Sequence, residues 1–196
     1  MMATPILHAL ARGLGACPLP LALSCGRGLG WVFGSLLRYH RADAFDALVR
    51  SFPERDEAWR RRTVRGMYAN LGMNLVESFR LAGGDGSELE RLVRVEGLER
   101  VHEARQRGRG VLMLTAHLGN WDLLSVKTPQ VGLPLTIVSK DLRSGALNDF
   151  WMATRARYGL KILPAHGSYR ACRAALKRNE LIGFVLDQNM IAREGV

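Results

Sequence analysis

The residues of this chain best placed to do chemistry are His117 and Asp122. They close the segment 111–122, Val-Leu-Met-Leu-Thr-Ala-His-Leu-Gly-Asn-Trp-Asp. The apolar run, bounded by Gly108 and Gly110, reads as a strand covered on both faces, as in a parallel sheet. It delivers an imidazole at the carboxyl edge, where open α/β sheets place their ligands. An imidazole changes charge near neutral pH, so a histidine there is a candidate general base and a nearby carboxylate its natural partner. The spacing restricts the geometry: five residues of continuous helix rotate about 140° and would point the two side chains apart. If they are partners, His117 sits in the turn before the helix and Asp122 in its first turn. Gly119 and Asn120 tolerate such a turn. The plainer alternative is a core or surface histidine beside a helix-capping aspartate.

What must position these residues is a single α/β core. The 196 residues, 47% of them hydrophobic, suffice for one main domain with a small accessory segment. Twenty-eight Lys and Arg against 18 Asp and Glu give a formal net charge of +10, which favours polyanions: nucleic acid, an anionic membrane face or an acidic carrier protein. Cys17, Cys25 and Cys172 form neither a C-x-x-C pair nor a zinc-like pattern with histidine, so reduced, cytosol-facing thiols are expected. Without a Walker loop, H-E-x-x-H or G-x-S-x-G, the chain lacks the usual signatures of P-loop hydrolysis, zincin chemistry and the α/β-hydrolase elbow. Gly26, Gly28 and Gly30 follow no strand, so their incomplete G-x-G pattern is discounted.

Residues 5–37 are apolar and rich in small side chains, interrupted by Arg12 and Arg27 and broken by Pro18 and Pro20. The longest uncharged run, 13–26, falls short of the ~20 residues a bilayer core requires, so an interfacial helix or helical hairpin is expected rather than a clean span. Ala22 to Gly26 faintly resembles a lipoprotein cleavage site, against which the two prolines argue. Arg38, His40 and Arg41 then supply positive charge where a membrane-dipping element would meet anionic headgroups. Apolar residues at 64, 67, 68, 71, 75 and 79 predict an amphipathic helix between 54 and 81, ended by Gly83, Gly84 and Gly86. Its basic run, Arg60, Arg61, Arg62 and Arg65, reads as a solvated face, with phosphate contacts in a nucleic-acid-binding protein as the alternative.

Beyond that helix the pattern alternates. Strands are expected near 92–96, 111–116, 135–139, 160–163 and 181–186, with helices at 98–107, 120–128, 146–158 and 168–178. Such alternation predicts a largely parallel sheet flanked by helices. Polar residues recur just past three strand ends: His117 to Asp122, then Lys140 and Arg143, then Asp187 and Gln188. Loops at one edge of a parallel sheet face a common crevice, which favours a functional reading of His117.

With these residues in view, the chain resembles the lysophospholipid acyltransferase superfamily, and within it the bacterial lipid A biosynthesis (lauroyl and myristoyl) acyltransferases. The family's H-x4-D/E signature is matched by His117 to Asp122. Its next block is similar to Lys140-Asp-Leu-Arg143 followed by Arg155-Ala-Arg157-Tyr-Gly159, and its D-Q block to Asp187-Gln188-Asn189. Ser51 to Glu54, Asn70 to Gly72 and Glu77 fit its usual amino-terminal layout, so the resemblance covers nearly the whole chain. Lys140 stands where many relatives have arginine. The family normally continues beyond Val196, so its remaining strands and their substrate contacts are expected to lie outside this sequence.

The resemblance implies a glycerolipid acyltransferase-like α/β fold incomplete at its carboxyl end: a membrane-associating helical segment over 1–40 and an acyltransferase domain over 41–196. It implies transfer of a fatty acyl chain from an acyl-carrier-protein or acyl-coenzyme A thioester to a hydroxyl of a lipid A precursor, glycolipid or lysophospholipid. The thioester is a co-substrate, and no cofactor or metal is expected. His117 would take the acceptor's proton and Asp122 would hold the imidazole in the right tautomer. Helix N-terminal N–H groups, assisted by Asn120, would stabilise the developing oxyanion. Gly119, Asn120, Lys140, Arg143, Arg155, Arg157, Asp187 and Gln188 are the expected substrate-binding residues. The basic ones would hold phosphates of the acceptor lipid or of the donor's phosphopantetheine, with a solvated helix face as the alternative for Arg155 and Arg157. Asp187 would orient a basic residue or serve the fold. The expected setting is the cytoplasmic face of a bacterial inner membrane, with an acidic carrier protein and an anionic lipid as partners and no nucleic acid. Two rivals remain open: a lipid or thioester hydrolase using the same His-Asp pair, and a basic nucleic-acid-binding module. The scattered Trp and Tyr speak against the latter.

Overall fold

The computed structural model describes residues 3–187, which divide into two compact units. One is formed by His8–Gly84, the other by the chain from Asp85 on together with its first residues.

The first unit is helical. Helices α1 (Ala3–Ala16) and α2 (Leu19–Trp31) are divided at Cys17 and Pro18, with a proline in the first turn of α2; they do not pack on each other as a hairpin would. A π-helical turn, Val32–Leu36, continues α2; α3 (Arg41–Ser51) and the long α4 (Glu57–Gly83) follow. The Asp56 side chain caps α4 by accepting from the Trp59 N–H at 2.6 Å. Packing of α2 on α4 depends on the spacing Ala22, Gly26, Gly30, Gly34, which puts four buried small residues on one face. A Cβ added at Gly30 would lie 2.1 Å from the Tyr68 carbonyl oxygen, and one at Gly72 2.0 Å from that of Gly26. Backbone meets backbone here, so Gly26 and Gly30 matter for close approach, whereas Gly28 faces open space. The Arg80 guanidinium, 3% exposed, donates to the carbonyls of Leu14, at 2.5 Å, and Cys17, satisfying acceptors at the end of α1. Among the described residues, no helix is long and apolar enough to cross a membrane.

The second unit begins with α5 (Ser87–Leu92) and α6 (Leu98–Gln106). No strand forms near 92–96. Val93 is extended (φ −124°, ψ 108°), yet the segment joins no ladder, and extended backbone without a partner is not a sheet strand. Then β1 (Val111–Thr115), α7 (Trp121–Gln130), β2 (Leu135–Ser139), α8 (Gly145–Arg157), β3 (Lys161–Pro164), α9 (Tyr169–Lys177) and β4 (Leu181–Val185) alternate as predicted. All pairings are parallel and the strand order is β1-β4-β2-β3. The last of these described strands is therefore interior. Leu181 and Ile182 of β4 are completely buried, together with Leu133, Leu135, Val126, Phe150 and Leu160. By contrast, β1 lies at the edge, and Leu112 and Leu114, expected inside, are 57% and 69% exposed. Apolar composition marked a strand there without revealing that, among the described residues, one of its faces is exposed.

Candidate active site

Strand order builds the site. Parallel pairing sets Thr115 opposite Val185, and the ladder runs one bond further, Leu186 N–H to the Thr115 carbonyl at 3.1 Å. Residues 117 and 187 then face each other just past the two strand ends. There the Asp187 carboxylate takes two hydrogen bonds from His117: the backbone N–H donates to Oδ2 at 3.0 Å, and Nδ1 lies 2.7 Å from Oδ1. The hydrogen bond from the His117 ring, assisted by that from its backbone, holds the Asp187 carboxyl below the usual carboxylate range despite some desolvation. An ionised Asp187 fixes the proton on Nδ1 and leaves Nε2 as an acceptor. The Trp121 ring meets the imidazole edge-on, with centroids 4.6 Å apart.

The turn after His117 works as its residues predict. Gly119 adopts φ +54°, and Asn120 caps α7 with its side chain accepting from the Leu123 N–H at 3.3 Å. The histidine therefore precedes the helix while Asp122 lies in its first turn, an arrangement that would let them meet. They are not hydrogen-bonded. Asp122 Oδ1 instead accepts from Arg155 Nε at 2.9 Å and Nη2 at 2.7 Å, and its Oδ2 from Trp151 Nε1 at 2.9 Å. Trp151 and Arg155 are four residues apart on α8 and so share one face. This ion pair is nearly enclosed, with side chains 13% and 12% exposed, and it ties α7 to α8. Hence Asp187 takes the position beside the imidazole that spacing alone gives to Asp122, and Arg155 is occupied by a carboxylate.

The other expected residues are dispersed along the same edge. Lys140 and Arg143 are exposed in the loop after β2, where Asn148 Oδ1 accepts the Leu142 N–H at 3.0 Å. Arg157 lies two residues past Arg155 and hence around the helix; it is exposed, donates to the Tyr158 hydroxyl at 3.1 Å and stacks on that ring at 5.0 Å. Gln188 lies outside the described residues. Local spacing left Trp121 and Trp151 unremarked, and their roles follow only from contacts made across the fold.

Fold and site define an α/β protein of the kind that carries a carboxylate-held histidine at the carboxyl edge of a parallel sheet. The chain belongs to the bacterial lipid A biosynthesis acyltransferase family, whose model matches residues 3–196. It is 24% identical over 173 residues to the lipid A biosynthesis palmitoleoyltransferase of Escherichia coli, covering 88% of this chain and 56% of that protein. Identity to a lipid A biosynthesis acyltransferase of Haemophilus influenzae is 21% over 168 residues, 86% of this chain and 53% of the relative. A phosphatidylinositol mannoside acyltransferase of Mycolicibacterium smegmatis shares 29% identity over 107 residues, 55% of this chain and 35% of that protein. The chain thus spans about half the length of the lipid A relatives, and less of the mycobacterial one.

Proposed function

We propose that this chain carries the catalytic centre of a lipid acyltransferase, with His117 as general base, Asp187 as its orienting carboxylate and Asp122 as the anchor of the α7 N-terminus. The observation that carries this reading is the two-point hold of Asp187 on His117, which leaves Nε2 beside the start of a helix. Nε2 accepts the proton of the acceptor hydroxyl as its oxygen attacks the thioester carbonyl. The N–H groups of the first turn of α7 stabilise the oxyanion, and on collapse the C–S bond breaks and the imidazolium returns the proton to the departing thiolate. A thioester is already activated, so direct transfer needs no acyl-enzyme. The acyl donor is an acyl carrier protein or coenzyme A thioester, and the acceptor a hydroxyl of a lipid A precursor, glycolipid or lysophospholipid. Lys140, Arg143 and Arg157 are the proposed phosphate contacts.

The formal charge of +10 favours an acidic carrier protein and an anionic membrane face, consistent with work at the cytoplasmic side of an inner membrane. The test supplies labelled acyl carrier protein and labelled acyl-coenzyme A with candidate acceptor lipids. Acceptor-dependent formation of the acylated lipid is expected. Acyl release at the same rate with and without acceptor would make the chain a hydrolase and sink the proposal.

A further inference from the structure

One aromatic contact in the candidate site has no task in the proposed chemistry. The Trp121 indole meets the His117 imidazole with 76° between the ring planes and centroids 4.6 Å apart. The two residues are four apart in sequence, yet they do not share a helix face: Gly119, at φ +54°, turns the chain between them, and α7 begins only at Trp121. The turn itself therefore brings the rings together. The indole has a firm base. On one side of it Asn120 caps α7 through the Leu123 N–H, and on the other Asp122 is bound by Trp151 and Arg155 of α8. The Trp121 carbonyl also accepts from the Ser125 hydroxyl at 2.7 Å.

Asp187 alone leaves the imidazole one freedom. Its carboxylate holds the His117 backbone N–H and a single ring atom, Nδ1, which sets the tautomer. The χ2 torsion of a histidine lies in a broad well, so a ring held at one atom can still swing and carry Nε2 away from the start of α7. A flat, anchored indole against the ring removes that freedom, because aromatic pairs favour edge-to-face geometry and resist tilting out of it. We infer that Trp121 is a positioning residue, which acts through His117 by holding the plane of the imidazole so that Nε2 stays beside the first turn of α7. This rests on the reading of His117 as the base. The indole N–H makes no hydrogen bond among the described residues, so donation to substrate is the competing role.

Two variants separate the roles: Trp121→Phe keeps a flat ring against the imidazole and removes the N–H, whereas Trp121→Ala removes both. Both are assayed with a labelled acyl thioester and acceptor lipid under conditions where circular dichroism shows the parent fold. Trp121→Ala should lower kcat about ten- to a hundredfold with KM changed less than about twofold, the cost of a misplaced base rather than of lost substrate binding. Trp121→Phe should return kcat to within about threefold of the parent, since the ring contact survives. Independently of turnover, NMR carbon relaxation of the histidine-labelled chain, with His117 assigned from His117→Ala, should report a rigid His117 ring in the parent and in Trp121→Phe and a mobile one in Trp121→Ala. A ring equally rigid in Trp121→Ala would overturn the assignment. So would Trp121→Phe losing as much activity as Trp121→Ala, which would give the role to the indole N–H. A parent without acceptor-dependent transfer would instead remove the acyl-transfer reading, and the ring measurement would still decide what Trp121 does.

Discussion

Asp187 lies 70 residues from His117 in the chain, yet its two carboxylate oxygens hold both the backbone N–H and Nδ1 of that histidine. One side chain thus fixes the loop and the tautomer together.

If Nε2 is the base, His117→Ala should lower acyl transfer about 10²–10⁴-fold, the usual contribution of a positioned general base. Circular dichroism should remain that of the parent. Transfer at more than a tenth of the parent rate would remove His117 from this role.

Asp187→Asn keeps the shape but permits the wrong tautomer. A loss of similar order in kcat, about 10²–10⁴-fold, is expected with KM nearly unchanged.

The same carboxyl sets a pH dependence. Its folded pKa is lowered, so its contribution to stability is complete above the ordinary carboxylate range and disappears as pH falls through the lowered value. Urea titrations of the parent and Asp187→Asn should therefore differ at neutral pH and converge in acid. A difference that grows on acidification would contradict the hold described.

Asp122 and Arg155 form a nearly enclosed pair, so Asp122→Ala or Arg155→Ala alone should destabilise the fold by about 3 kcal/mol, and the double variant by much less than the sum. A double-mutant cycle in urea measures the coupling. If Asp122 instead oriented His117, its replacement would alter the pH profile of kcat while leaving stability intact.

Backbone contact between α2 and α4 makes opposite predictions for neighbouring glycines. Gly30→Ala forces a methyl to 2.1 Å from the Tyr68 carbonyl oxygen and should cost about 3 kcal/mol or more, whereas Gly28→Ala meets open space and should stabilise by a few tenths up to about 1 kcal/mol. Thermal denaturation of the two variants distinguishes them.

Periodicity made most of the second unit legible. The runs that became β1, β2, β3 and β4 are short and apolar, and the intervening segments have helical length. The stretch near 92–96 shows the limit: Val93 and Val95 alternate with charged residues as in a strand, but a strand exists only where a neighbour accepts its hydrogen bonds. The glycines of α2 are visible as residues, and their G-x-G pattern is rightly discounted, since all three lie within a helix. Their spacing of four acquires meaning only against the matching face of α4.

By itself the sequence determined that a histidine would end a strand, that Gly119 and Asn120 would turn the chain into a helix, and that carboxylates and arginines would gather at nearby strand ends. These are local properties, settled by residue types within a few positions of each other. Tertiary structure alone decided which carboxylate serves the histidine. By inserting β4 between β1 and β2, the fold brings Asp187 to His117 through register and gives Asp122 to Arg155 and Trp151 on α8. Sequence spacing constrains neighbours within an element, whereas partners on different elements are chosen by strand order and helix packing, which depend on the whole chain at once.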